Sequence, residues 1–108
     1  MTTPAAIFEQ GLTAKGTSLV SPDELEASLD FLRERRVFVQ SIEAFALRGE
    51  LQALTLEFSI LGLDGDRDWE KHHDVGRSYE LVLEKIAGAR EYKEPIVFQV
   101  WLDDAPTP

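Results

Sequence analysis

The sequence predicts an α+β fold in which about three helices pack on a small, mainly antiparallel sheet of about three strands. Three observations favour this fold. Leucines recur at helical spacing behind a strong helix start near residue 21, residues 54–60 alternate apolar and polar positions with period two, and residues 96–102 form a run of strand-forming residues behind Pro95. The resulting order, α-α-β-β-α-β, groups helices and strands instead of alternating them strictly, as in an α+β domain.

A short first helix is predicted from the N-cap and first-position pair Thr3 and Pro4, and it is expected to end near Gly16. Its expected inward-facing residues are Ile7, Phe8 and Leu12.

The second helix has the strongest start signal in the chain. Ser21, Pro22 and Glu24 form a capping box with proline at the first helical position, and Val20 is placed to pack on Leu25 as a hydrophobic staple. The predicted buried stripe consists of Leu25, Leu29 and Leu32.

Residues 37–50 contain β-branched and aromatic side chains but also good helix formers, so helix and strand both remain open. We interpret them as a strand that turns near Arg48, Gly49 and Glu50 into a second strand. The predicted buried face of the second strand is Leu54, Leu56, Phe58 and Ile60.

A third helix is predicted after residue 74, with Gly88 as its stop signal and an apolar stripe at helical spacing. The stripe contains Val75, Tyr79, Val82 or Leu83, and Ile86. A last strand follows Pro95, and its predicted buried face is Ile96, Phe98, Val100 and Leu102. Residues 103–108 are expected to be a frayed tail.

Composition limits the classes of function. At 108 residues, with 44% hydrophobic and 29% charged residues, the chain is expected to form a single domain, 1–108. It has no cysteine, which excludes disulfides and thiolate chemistry. A secretory h-region and an apolar stretch of ~20 residues are both missing, which predicts a cytoplasmic protein without a membrane span.

The charge balance predicts the kind of partner. Twenty acidic against eleven basic residues give a formal charge of −9. Such a surface repels nucleic acid and anionic membranes and attracts positively charged proteins. The simpler interpretation is that the charge serves solubility.

The acidic stretch GLDGDRDWEKHHD, residues 62–74, begins like a calcium loop with Asp64, Asp66 and Asp68. The turn glycine and the bidentate glutamate that such a loop needs are replaced by Trp69 and Val75. A calcium site is therefore not favoured over a solvated turn.

Metal and catalytic alternatives also lack necessary residues. His72 and His73 are adjacent, so they do not share a helix face, and a zinc site would need further ligands from elsewhere. The chain shows no G-x-S-x-G motif and no phosphate-binding glycine loop. We therefore predict a non-enzyme with no catalytic residue, no metal site and no cofactor.

Surface recognition is the remaining interpretation of this stretch. Trp69 is predicted to anchor an interface inside a ring of carboxylates that pair with Arg or Lys on a partner. The alternative is that Trp69 caps the core, and Trp101 poses the same choice. Glu43, Glu50 and Glu57 extend the acidic surface if the hairpin lies beside it. The predicted partner-binding residues are Asp64, Asp66, Asp68, Trp69, Glu70, His72, His73 and Asp74.

The chain resembles the small acidic immunity proteins of bacterial polymorphic toxin and contact-dependent inhibition systems. The resemblance is carried by IEAFAL, EFSILGLDGDRDWEKHHD, GRSYELVLEKIAGA and IVFQVWLDD, four segments that lie between residues 42 and 104 and together cover 47 of the 108 residues. It implies a protein that binds a cognate toxin domain, often a basic one, and blocks it without catalysis. The alternative expectation is a small regulatory or assembly subunit that forms a homodimer through an exposed strand edge or the Trp101 face.

Overall fold

The computed structural model describes residues 3–13, 15–60 and 75–104 and confirms the α+β fold and its order. Three α-helices and a three-stranded antiparallel sheet lie within these residues. In chain order they are α1 (Pro4–Gly11), α2 (Pro22–Glu34), β1 (Val37–Arg48), β2 (Leu51–Leu54), a 3-10 turn (Leu56–Phe58), α3 (Val75–Glu91) and β3 (Ile96–Asp104).

The strand β1 is the centre of the sheet, whose order is β2-β1-β3. It pairs with β2 from Arg48 opposite Leu51 to Phe45 opposite Leu54, and with β3 along most of its length. Residues 37–48 are therefore strand and not helix. A central strand bonds to neighbours on both sides, and this pairing outweighs the helix preference of the IEAFAL segment.

The turn between β1 and β2 is confirmed at the predicted place. Gly49 has a φ of 65°, whereas Glu50 is not among the residues with positive φ. A positive φ at the first of two central residues is typical of a type II′ hairpin turn, where glycine carries no steric cost. This tight turn fixes the register of β2 on β1.

All three helices lie on one face of the sheet. The capping box of Ser21 and Glu24 is present, and Thr3 caps α1 as predicted. One hydrophobic core lies between the helices and this face. Its most buried large residues are Ile7, Val20, Leu25, Leu29, Leu32, Ile42, Ile60, Val82, Ile86, Phe98 and Val100.

Three buried hydroxyl groups complete the sheet where strand pairing is interrupted. Near the register shift between Val39 and Ser41, Ser78 of α3 accepts from the Val39 N–H at 2.9 Å and donates to the Val39 carbonyl. Ser59 accepts from the N–H of Ala44 at 3.0 Å, and Thr17 accepts from the N–H of Val100 at 3.0 Å. Buried backbone donors are thereby satisfied without a partner strand.

The second strand is shorter than predicted, because β2 ends at Leu54 and the chain turns through Leu56–Phe58. Phe58 and Ile60 are buried as predicted, but Leu54 and Leu56 are 52% and 63% exposed. The hydroxyl of Ser59 donates to the carbonyl of Thr55 at 2.8 Å, which closes the turn. The turn breaks the period-two alternation, so the four apolar residues do not share a face.

Three element ends also differ from the predictions. Helix α1 ends at Gly11 instead of near Gly16, and Leu12 is 39% exposed. The side-chain oxygen of Gln10 accepts hydrogen bonds from the backbone N–H and the hydroxyl of Ser18, so the end of the helix is tied to the next segment. Helix α3 continues through Gly88, whose position is in close contact with the ring of Phe58. Strand β3 extends to Asp104, two residues into the expected tail.

Candidate functional site

The predicted binding stretch lies outside the described residues, which omit 61–74. This applies to every residue assigned to it, namely Asp64, Asp66, Asp68, Trp69, Glu70, His72, His73 and Asp74. The residues on either side are described. Ile60 is fully buried and exchanges two backbone hydrogen bonds with Ile42, at 2.8 and 2.9 Å, and α3 begins at Val75. In sequence, the stretch lies between Ile60 and the start of α3.

One surface of the described residues combines exposed leucines with a strand edge that no described strand pairs with. On β1 after the register shift, the backbone groups of even-numbered residues point towards β2, since the N–H of Thr55 donates to the carbonyl of Ala44 at 2.7 Å. The odd-numbered residues face β3, since the N–H of Leu47 donates to the carbonyl of Pro95 at 2.9 Å. In an antiparallel pair this alternation directs the backbone groups of Gln52 and Leu54 away from β1. No strand among the described residues pairs with that outer side.

The opposite edge of the sheet is covered by the chain itself. The segment before α2 lies along β3, where Val20 and Phe98 exchange two backbone hydrogen bonds of 2.8 Å. The N–H of Thr17 also donates to the carbonyl of Val100 at 2.9 Å. Within the described residues, the sheet thus has one covered edge and one open edge.

The open edge carries the most exposed large apolar side chains of the described residues. Leu51, Leu54 and Leu56 are 71%, 52% and 63% exposed. We refer to these three residues with Gln52 and Ala53 as the leucine edge. None of its side chains is charged and none is proline, so it lacks two devices by which proteins protect open edges. Natural sheets that keep such an edge commonly use it for pairing.

The leucine edge continues onto the sheet face that points away from the helices. Leu54, Phe45 and Val97 lie in one row across the three strands, and Phe45 and Val97 are half-buried. Trp101 lies on the same face and is half-buried. Its ring packs so closely on Gly16 that a side chain at position 16 would clash with it. Trp101 is therefore held partly by its own chain.

Acidic side chains border the leucine edge. Glu50 follows Gly49 in the turn, Glu57 lies in the 3-10 turn, and both are exposed. Glu43 is half-buried on the face away from the helices. The next residue, Ala44, accepts a hydrogen bond from the N–H of Thr55 and donates one to the hydroxyl of Ser59, and Thr55 and Ser59 flank Glu57 in the sequence. The hairpin does place Glu43 and Glu57 on neighbouring segments.

The positive groups nearby already have partners. Arg48 forms two 3.0 Å hydrogen bonds from Nε to the carboxylate of Glu94, and this contact raises the pKa of the guanidinium. Lys85 donates from Nζ to the backbone carbonyl of Glu57 at 3.0 Å. The charge of Arg48 is thus offset by Glu94, whereas Lys85 bonds a neutral carbonyl and keeps its positive charge beside Glu57.

Metal and small-molecule sites find little support in the described part of the chain. No group of three or more His, Cys, Asp and Glu side chains there is arranged to hold a metal ion. A recess lined by Arg33, Val39, Ser78 and Tyr79 among others has a cavity volume of about 10 Å³, which is room for about one water molecule. Ligand pockets usually begin near ~300 Å³. None of the described helices is long and apolar enough to cross a membrane.

Sequence reasoning missed the leucine edge. It assigned Leu54 and Leu56 to a buried face and did not single out Leu51. A signal was present, because an apolar LQAL segment follows a two-residue turn and precedes Thr55 without any charged or proline residue. Its exposure follows from the tertiary arrangement, because Leu54 lies on the sheet face away from the helices and the chain turns through Leu56–Phe58.

Comparison with known proteins adds no relative to this description. No protein-family model matches the chain. No curated protein matches it either.

Proposed function

We propose that this chain is a non-catalytic cytoplasmic immunity protein, which binds and neutralises a cognate, positively charged bacterial toxin domain. The observation that carries the proposal is the leucine edge, an exposed apolar strip bordered by carboxylates. Protein interfaces combine an apolar centre with a polar rim, and complementary charge accelerates the encounter of the partners. The formal charge of −9 supports a basic partner.

The acidic stretch 62–74 supplies the second part of the proposal. Trp69 serves as an apolar anchor there, and the carboxylates and histidines around it form the polar rim. If the toxin acts on nucleic acid, these carboxylates occupy positions that the substrate's phosphates would take. The chain needs neither cofactor nor catalytic residue for this role. The acidic partners are Asp64, Asp66, Asp68, Glu70 and Asp74, beside His72 and His73.

A pull-down followed by a binding measurement tests this function. The tagged protein is used to capture partners from the source organism at low salt, and the retained protein is then purified. We expect one stoichiometric basic partner, and we expect the double variant Asp66→Asn with Asp68→Asn to bind it more weakly and with less dependence on salt. If no basic protein is retained, or if the double variant binds with unchanged affinity at low salt, the proposal or its acidic loop is wrong.

Homodimerisation is the second candidate, because the edge of β2 that no described strand covers also offers a surface for self-pairing. Two β2 strands related by a two-fold axis could pair antiparallel and join two sheets into one. Sedimentation equilibrium at micromolar concentration decides between the candidates. A stable dimer of the isolated protein would support the regulatory or assembly role instead of the immunity role.

A further inference from the structure

We propose that the outer edge of β2 binds an extended, positively charged segment of a partner protein, which adds to the sheet as a fourth strand. This inference rests on the proposed function, since it names the part of the basic partner that is recognised and the surface that recognises it.

The backbone of β2 is arranged for strand addition. Gln52 and Leu54 alternate with residues bonded to β1, so their N–H and C=O groups repeat along the open edge at the spacing of an added strand. The type II′ turn and the register with β1 hold this edge in place before any partner binds. A preformed edge reduces the ordering cost of binding.

The side chains give the edge an apolar character on both faces. Leu51 lies on the same face as Arg48, and Leu54 lies on the face of Phe45, as their pairing across the two strands requires. An added strand would place alternate side chains against these two leucines. Leu56 lies just beyond the end of β2, where it would contact the next residue of an extended segment.

Charge selects the occupant. Glu50 and Glu57 are exposed beside the two ends of β2, and the carboxylate of Glu94 pairs with the nearby Arg48. A second copy of this chain would bring the same carboxylates together and would add another charge of −9 to the complex. A segment rich in Lys or Arg would instead meet opposite charges. The edge therefore favours a basic segment over self-pairing.

The test uses the full-length protein and a short synthetic peptide in which lysine alternates with valine, with both ends blocked. Backbone amide signals are followed by NMR as the peptide is added up to about 1 mM. This concentration occupies half of the sites even if the dissociation constant is about 1 mM. We expect the signals of residues 51–56 to move most. A matched peptide in which glutamate replaces lysine should bind about tenfold more weakly or not at all.

Two pairs of variants separate backbone pairing from general surface effects. Gln52→Pro removes an N–H that points away from β1, whereas Gln52→Ala keeps it, and we expect binding to be lost only in the proline variant. Leu54→Lys places a repelling charge on the edge and Leu54→Glu an attracting one. We expect the lysine variant to bind the basic peptide more weakly than the glutamate variant, with equal melting temperatures as the folding control.

Several outcomes would overturn the inference without touching the proposed function. These are unmoved signals at residues 51–56, equal binding of the two peptides, or equal affinity of the proline and alanine variants for a basic partner captured in the pull-down. A dimer that Gln52→Pro dissociates would assign the edge to a second copy. By contrast, failure to retain any basic partner would contradict the proposed function, while the peptide titration would still report on the edge.

Discussion

At the scale of single residues, buried hydroxyl groups decide how the sheet tolerates its irregularities. Ser59, Ser78 and Thr17 are all buried, and each accepts a hydrogen bond from a backbone N–H of β1 or β3. Serine and threonine are common in loops and caps, so the sequence alone did not mark these three. Their role follows from the backbone donor that each one meets.

Replacing Ser78 with alanine should destabilise the protein by about 1–3 kcal/mol, because the buried N–H and carbonyl of Val39 would both lose their partner. The loss should appear although alanine is the better helix former. Urea unfolding measures the change. Ser41→Ala, at a half-exposed position two residues from Val39, is the control and should change stability by less than about 0.5 kcal/mol. Equal effects of the two substitutions would contradict the assigned role of Ser78.

At the scale of elements, contacts between helices and the hairpin segment decide where each element ends. Gly88 lies inside α3, and a Cβ at this position would be 2.9 Å from the Phe58 ring. Phe58 in turn packs edge-on against Tyr92, with ring centroids 5.4 Å apart. The glycine predicted to stop α3 is therefore a contact point between α3 and the 3-10 turn.

The substitution Gly88→Ala should not stabilise the protein, although alanine improves helix propensity by about 1 kcal/mol. The displaced Phe58 ring should outweigh this gain and leave a net loss of about 1 kcal/mol. The matched control is Ala87→Gly at the exposed neighbouring position, which reports propensity alone. Thermal unfolding of both variants provides the measurement. A rise in melting temperature for Gly88→Ala would show that the ring moves without cost.

A hydrogen bond between α2 and α3 should make stability depend on alkaline pH. The Tyr79 hydroxyl donates to Asp30 at 2.9 Å, and this bond, with burial and the charge of Asp30, raises the pKa of the phenol above its ordinary 10.0. Because the pKa is higher in the folded state, the stabilisation is fully present below pH 10.0 and is lost as pH rises through the raised value.

The variant Tyr79→Phe should therefore be less stable at neutral pH by about 1 kcal/mol or less, and it should lose less further stability above pH 10.0 than the unmodified protein. Denaturant unfolding across the alkaline range measures both effects. Asp30→Asn keeps an acceptor but removes the charge, so the Tyr79 pKa should fall towards its ordinary value in an absorbance titration. Identical alkaline profiles for the unmodified and Tyr79→Phe proteins would rule out this contribution.

At the scale of the whole molecule, charge is distributed unevenly between internal pairing and the surface. Arg90 of α3 forms ion pairs with Glu26 and Asp23 of α2. The hydrogen bond to Glu26, followed by the one to Asp23, raises the pKa of the Arg90 guanidinium. Arg48 is paired with Glu94. These basic residues pair with carboxylates of the same chain. Because acidic residues outnumber basic ones, further carboxylates are available to a partner.

If the proposed function holds, salt should slow association with the basic partner more than it accelerates dissociation. Long-range attraction by the −9 charge acts on the encounter and is screened over about 8 Å at physiological ionic strength. Stopped-flow or surface kinetics at increasing salt measures both rates. Asp66→Asn with Asp68→Asn should reduce the salt slope of the association rate, whereas Gln52→Pro should act mainly on dissociation. An association rate that does not change with salt would contradict steering by charge.

The sequence by itself determined the class of the fold, the order of its elements, the N-terminal caps, the hairpin turn and most core residues. These features depend on local chemistry: a capping box, a glycine that accepts positive φ, and apolar residues at a regular period. Leu25, Leu29 and Leu32 were predicted correctly for this reason. The acidic composition was also evident from the sequence, but the positively charged partner inferred from it stays a prediction.

Tertiary structure decided which apolar residues are buried and which edge of the sheet is open. Leu54 and Leu56 follow the same alternation as Phe58 and Ile60, yet the first two are exposed, since the 3-10 turn and the contact of Phe58 with Gly88 redirect the chain. Likewise, the pairing of Val20 with Phe98 covers one edge of the sheet, whereas no described strand covers the outer side of β2. Burial and edge exposure depend on contacts between residues distant in sequence, and local periodicity carries no information about those contacts.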